Sequence, residues 1–251
     1  MSRSAVQQAS LPATVSQVRR LSAPMFEIGP KNLMRLAEIV ELAVAAGRAG
    51  ETHGVSVVVT VPTALISRVS SAAPNVFVFA QEMSVQSLGA SVGRTTAESL
   101  VDAGAHGVML NHDSNPLDAE ALAAAVERAH DNGLLTMVCA GSDTEARTVF
   151  ELQPTIVLYE PPELIGTAGG ADRPWIAAIN REAATVVPET LMMHAGGVAV
   201  PDDAYRIMSA GAHATGATSG VIRAASPSEA AAEFIAATRK GFDAARAQHS
   251  R

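Results

Sequence analysis

Short apolar runs alternate with helix-length amphipathic stretches eight times along this chain, and nothing else in it narrows the possible folds so far. The runs cover residues 24–28, 55–61, 76–80, 107–110, 134–139, 156–159, 191–193 and 213–217, several of them rich in Val and Ile. Between them lie predicted helices, one opening near Asn32 and the others over residues 64–69, 96–103, 118–132, 143–152, 174–186, 202–210 and 226–247. Local punctuation agrees with this division. Asn32 is placed to cap the first helix, Pro62 stops the second run, and Gly133 suits the C′ position after residue 132. Strict alternation calls for a parallel sheet covered by helices, and eight units in about 250 residues fit a closed α/β (β/α)₈ TIM barrel. An open doubly wound sheet is the alternative, but no Gly-x-Gly-x-x-Gly follows the first run. The expected organisation is one barrel domain over 24–251 after a flexible segment, 1–23.

Composition bounds the function. Of 251 residues, 48% are hydrophobic and 17% charged, ample for a large core, while only 4% are aromatic. The net charge is -7 and the 18 Lys and Arg residues are scattered, which argues against nucleic acid or an anionic membrane as partner. Cys139 is the only cysteine, so neither an internal disulfide nor a cysteine zinc site is available. Residues 1–24 hold no signal-like apolar core, and no stretch reaches the ~20 apolar residues of a membrane span. A cytoplasmic protein is expected.

In a barrel, chemistry belongs just beyond the C-terminal ends of the strands. The titratable groups expected there are Lys31, Glu82, His112, Glu160 and His194. Lys31, His112 and Glu160 supply a cation, an imidazole and a carboxylate. That set can remove a proton beside a carbonyl while polarising its oxygen. Ala195-Gly196-Gly197 and Thr218-Ser219-Gly220 follow the seventh and eighth runs, where small residues let backbone N–H groups approach a phosphate, or merely serve the turns. Around Glu160 the stretch Tyr159-Glu160-Pro161-Pro162-Glu163-Leu164-Ile165-Gly166-Thr167 starts stiff with two prolines and ends in glycines through Gly170, as a closing lid would. Gly166 and Thr167 complete the expected substrate-binding set.

That lid stretch, together with Asn111-His112, Phe79-Ala80-Gln81 and the run 134–139, resembles the triosephosphate isomerase family in its short archaeal-type branch. The likeness extends from about Pro24 to the last helix. It implies that Glu160 is the base shuttling a proton between adjacent carbons of a small phosphorylated sugar. His112 would act as a neutral electrophile on the carbonyl oxygens, and Lys31 would place positive charge on the substrate. It implies no metal or organic cofactor, and a homodimer or homotetramer built through the loop after the third strand.

The departures gather around the lysine. Gly29 stands where the family has Asn, and Asn111-His112-Asp113-Ser114 ends in Ser114 where the family has Glu. Glu82 replaces an archaeal His, and Val92 replaces an interface hydroxyl. Three readings therefore stay open: a triosephosphate isomerase whose lysine is held by Asp113 or Glu82, an isomerase of a related tetrulose phosphate using the room left by Gly29 and Ser114, and a catalytically weak phosphometabolite-binding protein.

Overall fold

In the computed structural model, which describes residues 20–167 and 169–249, each strand pairs in parallel with its sequence neighbour, and the last returns to the first. The strands are β1 Met25–Ile28, β2 Ser56–Val61, β3 Phe77–Ala80, β4 Gly107–Leu110, β5 Leu135–Ala140, β6 Ile156–Tyr159, β7 Leu191–His194 and β8 Ala214–Ala217. Closure runs through Met25↔Ala214, Phe26↔Thr215, Glu27↔Gly216 and Ile28↔Ala217. This is the (β/α)₈ barrel expected from the alternation.

The helices are α1 Leu36–His53, α2 Ile66–Ala72, α3 Ala97–Asp102, α4 Ala119–Asp131, α5 Asp143–Phe150, α6 Ile176–Val186, α7 Pro201–Ser209, α8 Ser219–Ile222 and α9 Pro227–His249. Side-chain caps set several starts: Thr96 accepts from Ser99 N at 3.2 Å, Asp118 from Ala121 N at 2.8 Å and Ser142 from Glu145 N at 3.2 Å. The first helix departs from expectation. Asn32 stays in the mouth loop, and α1 begins after Arg35, whose N–H is accepted by Glu38 at 2.8 Å. The cause is the turn at Pro30, whose carbonyl accepts from Leu33 N at 3.1 Å, with Lys31 held at φ 49°. The short α8 carries no periodic signal and was not expected.

Period-two alternation divides the strand side chains into two apolar layers. Met25, Val58, Phe77, Phe79, Met109, Met137, Ile156, Leu158 and Met193 fill the barrel, while Phe26, Ile28, Val57, Val59 and Val78 face the helices. With few aromatics available, the flexible methionines fill the irregular interior. Truncating one of the buried phenylalanines to Ala would cost on the order of 3–5 kcal/mol. Outside, α9 lies across α1 and α7, and Phe234 stacks on Phe26 with centroids 5.7 Å apart.

The stretches Ala103-Gly104-Ala105-His106 and Ala210-Gly211-Ala212-His213 are alike in sequence and share a structural job. His106 Nδ1 accepts from Val78 N at 3.1 Å, and His213 Nδ1 from Met192 N at 3.0 Å. Each imidazole stands in for a carbonyl where its strand joins the preceding one. Most of the segment 1–23, expected to be flexible, lies outside the described residues. Leu21, though, already packs beside Met25 in the barrel interior.

Candidate active site

The C-terminal ends of the strands surround a cavity of about 790 Å³. Four of the five strand-end groups picked from sequence line it: Lys31, Glu82, His112 and Glu160. The fifth does not. His194 is the last residue of β7, fully buried, with Nε2 2.8 Å from Asn180 Oδ1 of α6. One residue decides the face of a strand, and His194 falls on the helix side. Burial drives its pKa down to about 3, with His213 and Arg173 adding to the effect, so it stays a neutral structural group.

His112 is oriented by its own loop. Asn111 sits at φ 58°, a region Asn tolerates, with Nδ2 donating to Cys139 O at 3.1 Å and Oδ1 accepting from Leu117 N at 3.0 Å. The turn so fixed lets His112 Nδ1 accept the backbone N–H of Ser114 at 3.1 Å, with Ser114 Oγ 2.8 Å away. A backbone N–H can only donate, so the ring proton of the neutral imidazole belongs on Nε2. Burial, then Lys31, lowers the His112 pKa against a smaller opposing pull from Asp113, which keeps the ring neutral. Ser114 thus anchors the histidine instead of pairing with the lysine.

Lys31 is anchored through its backbone. Gln81 Nε2 donates to Lys31 O at 3.0 Å and to Thr60 O at 3.3 Å. None of the salt bridges among the described residues includes Lys31, so neither Asp113 nor Glu82 clamps it. Glu82 instead accepts from Thr95 Oγ1 at 3.3 Å.

Glu160 leaves β6 with its N–H donating to Ala140 O at 2.9 Å, and its side chain enters the cavity. Desolvation raises its pKa above the ordinary carboxylate value. Lys31 opposes the rise, Asp113 adds to it, and the Gly196 N–H favours the charged form. The lid then turns through Pro162–Leu164, and Thr167 Oγ1 donates to Leu164 O at 2.9 Å. Gly196, at φ 83°, makes the close approach of lid and seventh loop possible, since a Cβ there would lie 2.9 Å from Leu164 Cβ.

Of the expected phosphate-binding positions, Gly166, Thr167, Ala195, Gly196, Gly197, Thr218 and Ser219 line the cavity. Gly220 is not among the lining residues. A Cβ there would lie 2.8 Å from both Ala199 O and the Phe234 ring, so its smallness serves the packing of α8 on the seventh loop. Among the described residues no helix is long and apolar enough to cross a membrane.

Sequence reading missed the groups that hold the lid's far end. Asp203, buried in the first turn of α7, accepts from Gly170 N at 2.7 Å and from Ala199 N and Val200 N at 3.0 Å each. Arg173 donates to Gly196 O at 2.5 Å and to Ala171 O at 3.0 Å. Arg223 brings a second cation to the rim beside Thr218 and Ser219. Also missed was Glu27, 5% exposed at the cavity floor. A charged residue within the four-residue apolar run was the available signal.

Comparison with known proteins bears on what this mouth is for. A family profile described as Triosephosphate isomerase matches residues 30–219. The chain belongs to the triosephosphate isomerase family. It is 32% identical over 209 residues to the triosephosphate isomerase of Methanopyrus kandleri, covering 82% of this chain and 90% of that one. With the enzyme of that name from Sulfurisphaera tokodaii it shares 29% over 206 residues, 81% and 90% of the two chains. A third relative so named, from Pyrobaculum arsenaticum, is 38% identical over 134 residues, 53% of this chain and 59% of the other. These relatives place the chain in the family's archaeal branch, as its lid motif suggested.

Proposed function

We infer that the protein interconverts dihydroxyacetone phosphate and glyceraldehyde 3-phosphate through an enediolate. Glu160, partly desolvated and basic enough to accept a proton, removes it from the carbon beside the carbonyl and returns it to the neighbouring carbon. His112 Nε2–H donates to the carbonyl oxygens, and Lys31 offsets the negative charge that grows there. This pairing of a glutamate base with a neutral histidine is the one described for triosephosphate isomerase itself. The phosphate would sit among backbone N–H groups at Gly166–Thr167, Gly196–Gly197 and Thr218–Ser219, with Arg223 at the rim. The lid would exclude water from the enediolate and so suppress loss of phosphate.

One observation carries the reading: the Ser114 N–H fixes the His112 tautomer, leaving a neutral N–H donor in the cavity that also holds Glu160. A coupled assay of purified protein with each triose phosphate tests it. Turnover in both directions, at about 10 s⁻¹ or faster, is the expected result. Inactivity with both would refute it.

The single cysteine and the family's metabolic role support a cytoplasmic location. Exposed apolar side chains on the mouth loops, Leu33, Leu88 and Val92, support a homo-oligomer. Light scattering reporting a monomer at micromolar concentration would contradict that assembly.

A further inference from the structure

Glu27 has no part in the acid–base scheme above, yet it lies at the floor of the same cavity. Its Oε1 is buried and without a hydrogen-bond partner, and so is the hydroxyl of neighbouring Thr60. The hydroxyl is near enough to favour the carboxylate more than Lys31 does, but the geometry of a hydrogen bond is not met at either atom. An unmatched carboxyl oxygen in such a place costs stability unless something that visits the cavity completes it.

The surrounding backbone makes room for this side chain. Gly29 is the next position on the same face of the first strand, and Gly216 is the partner of Glu27 on β8. A Cβ at Gly29 would lie 3.0 Å from Glu27 Oε1, and one at Gly216 would lie 3.0 Å from Oε2. The carboxyl therefore fills the space a side chain at Gly29 would take, shares with the Met193 methyl the space at Gly216, and rises to the level of Gly29, two residues before Lys31.

Its charge state follows from what faces it. Burial disfavours the carboxylate most, the Thr60 hydroxyl favours it, Glu160 repels it, and Lys31 pulls weakly the other way, leaving a pKa of about 7. The Cys139 thiol, also facing it, is held neutral by burial. A dianionic phosphate and a developing enediolate would disfavour ionisation further. A neutral acid in a desolvated site is a strong donor to an oxyanion.

We propose that Glu27, as a neutral carboxylic acid, is a further substrate-contacting residue whose O–H donates a hydrogen bond to the oxygen carrying the enediolate charge. The inference rests on the isomerase reading, and it explains why an acid stands against Gly29, where the chain departs from the family. No proton is transferred in this contact. The acid form donates, and the contact turns repulsive once Glu27 ionises.

The test compares wild type, Glu27→Gln and Glu27→Leu, each checked for folding by circular dichroism. Turnover and the affinity for 2-phosphoglycolate, whose carboxylate carries the charge an enediolate would, are followed from pH 6 to pH 9. Glu27→Leu should lower kcat about a hundredfold, and Glu27→Gln, with its permanent amide donor, should recover roughly tenfold of that loss. Wild-type kcat/KM and analogue affinity should both decline as pH passes about 7, the value of the free protein, and Glu27→Gln should lose that decline. The pH dependence owed to Glu160 remains in both proteins and cancels in the comparison. Glu27→Leu within about twofold of wild type in both readouts, or Glu27→Gln keeping the wild-type pH dependence, would overturn the proposal. A wild type inactive on both triose phosphates would sink the isomerase reading. The analogue titration would still decide on Glu27, since a decline lost in Glu27→Gln supports the contact and a decline retained refutes it.

Discussion

Two carboxylates enter the same cavity from nearly opposite strands, and their surroundings differ in kind. Glu160, beyond β6, has a backbone N–H from Gly196 to favour its charged form and the turn Pro162–Leu164 directly after it. Glu27, inside β1, has an unmatched Oε1 and two flanking glycines, with only the Thr60 hydroxyl and Lys31 to favour its charged form. Both pKa values are raised, and in both cases desolvation is the largest cause. Their uses differ because their supports differ. A carboxylate stabilised in the ionised form can accept a proton, while one whose burial outweighs its donors keeps its own. The β6 end keeps the family's pattern and the β1 end has been rebuilt around a buried acid.

The sharpest way to break this contrast is at Lys31, the cation that pulls on both carboxylates. Lys31→Ala should lower kcat/KM roughly a thousandfold, with kcat and KM both affected, because it removes the charge opposite the growing oxyanion. A silent Lys31→Ala would mean that the rebuilt end works without its lysine, and steady-state kinetics decides the matter.

A smaller effect separates the two carboxylates by stability. Glu27 has a pKa of 4.5 when unfolded and about 7 in the fold. Between those values the unfolded chain releases a proton that the folded chain keeps, so stability falls as pH rises, and the loss is complete above about pH 7. The loss amounts to about 3 kcal/mol. Glu27→Gln should escape it, so the stability difference between variant and wild type should widen by that amount from pH 4.5 to pH 8. Urea titrations measure it. A constant difference would show that Glu27 ionises freely.

The smallest effect concerns the lid. Asp203→Ala leaves the N–H groups of Gly170, Ala199 and Val200 without their acceptor. It should lower kcat/KM about tenfold and speed proteolysis between Gly166 and Arg173. Unchanged cleavage and kinetics would show that the lid is held from its other end.

Much of this was legible in the sequence because it is local. Eight apolar runs, each followed by an amphipathic stretch, identify the barrel, and the prolines and glycines after Tyr159 mark the loop that leaves β6. That Gly166, Gly196 and Gly197 border the mouth was legible for the same reason, but not that Gly220 lies off it, since its neighbours Ala199 and Phe234 come from elsewhere in the chain. Direction across a strand was harder to read. Both faces of a barrel strand are buried, so the run Met25–Ile28 does not say that Glu27 looks inward, nor does Leu191–His194 say that His194 looks outward. Asp203 and Arg173 were harder to read for another reason, since Gly170 N and Gly196 O, the partners that tie them to distant loops, meet them only in the fold. Ser114 was read by what it lacks, a carboxylate, and its role with His112 depends on the turn that Asn111 permits.

The most direct test of the claim that Glu160 is the base in an isomerase is a paired measurement of kcat on glyceraldehyde 3-phosphate for wild type and Glu160→Gln. Fast wild-type turnover reduced by roughly 10⁴-fold in the variant, with 2-phosphoglycolate still bound, is the expected result. Turnover that survives the substitution would contradict it and move the proton-transfer role to another group in the cavity.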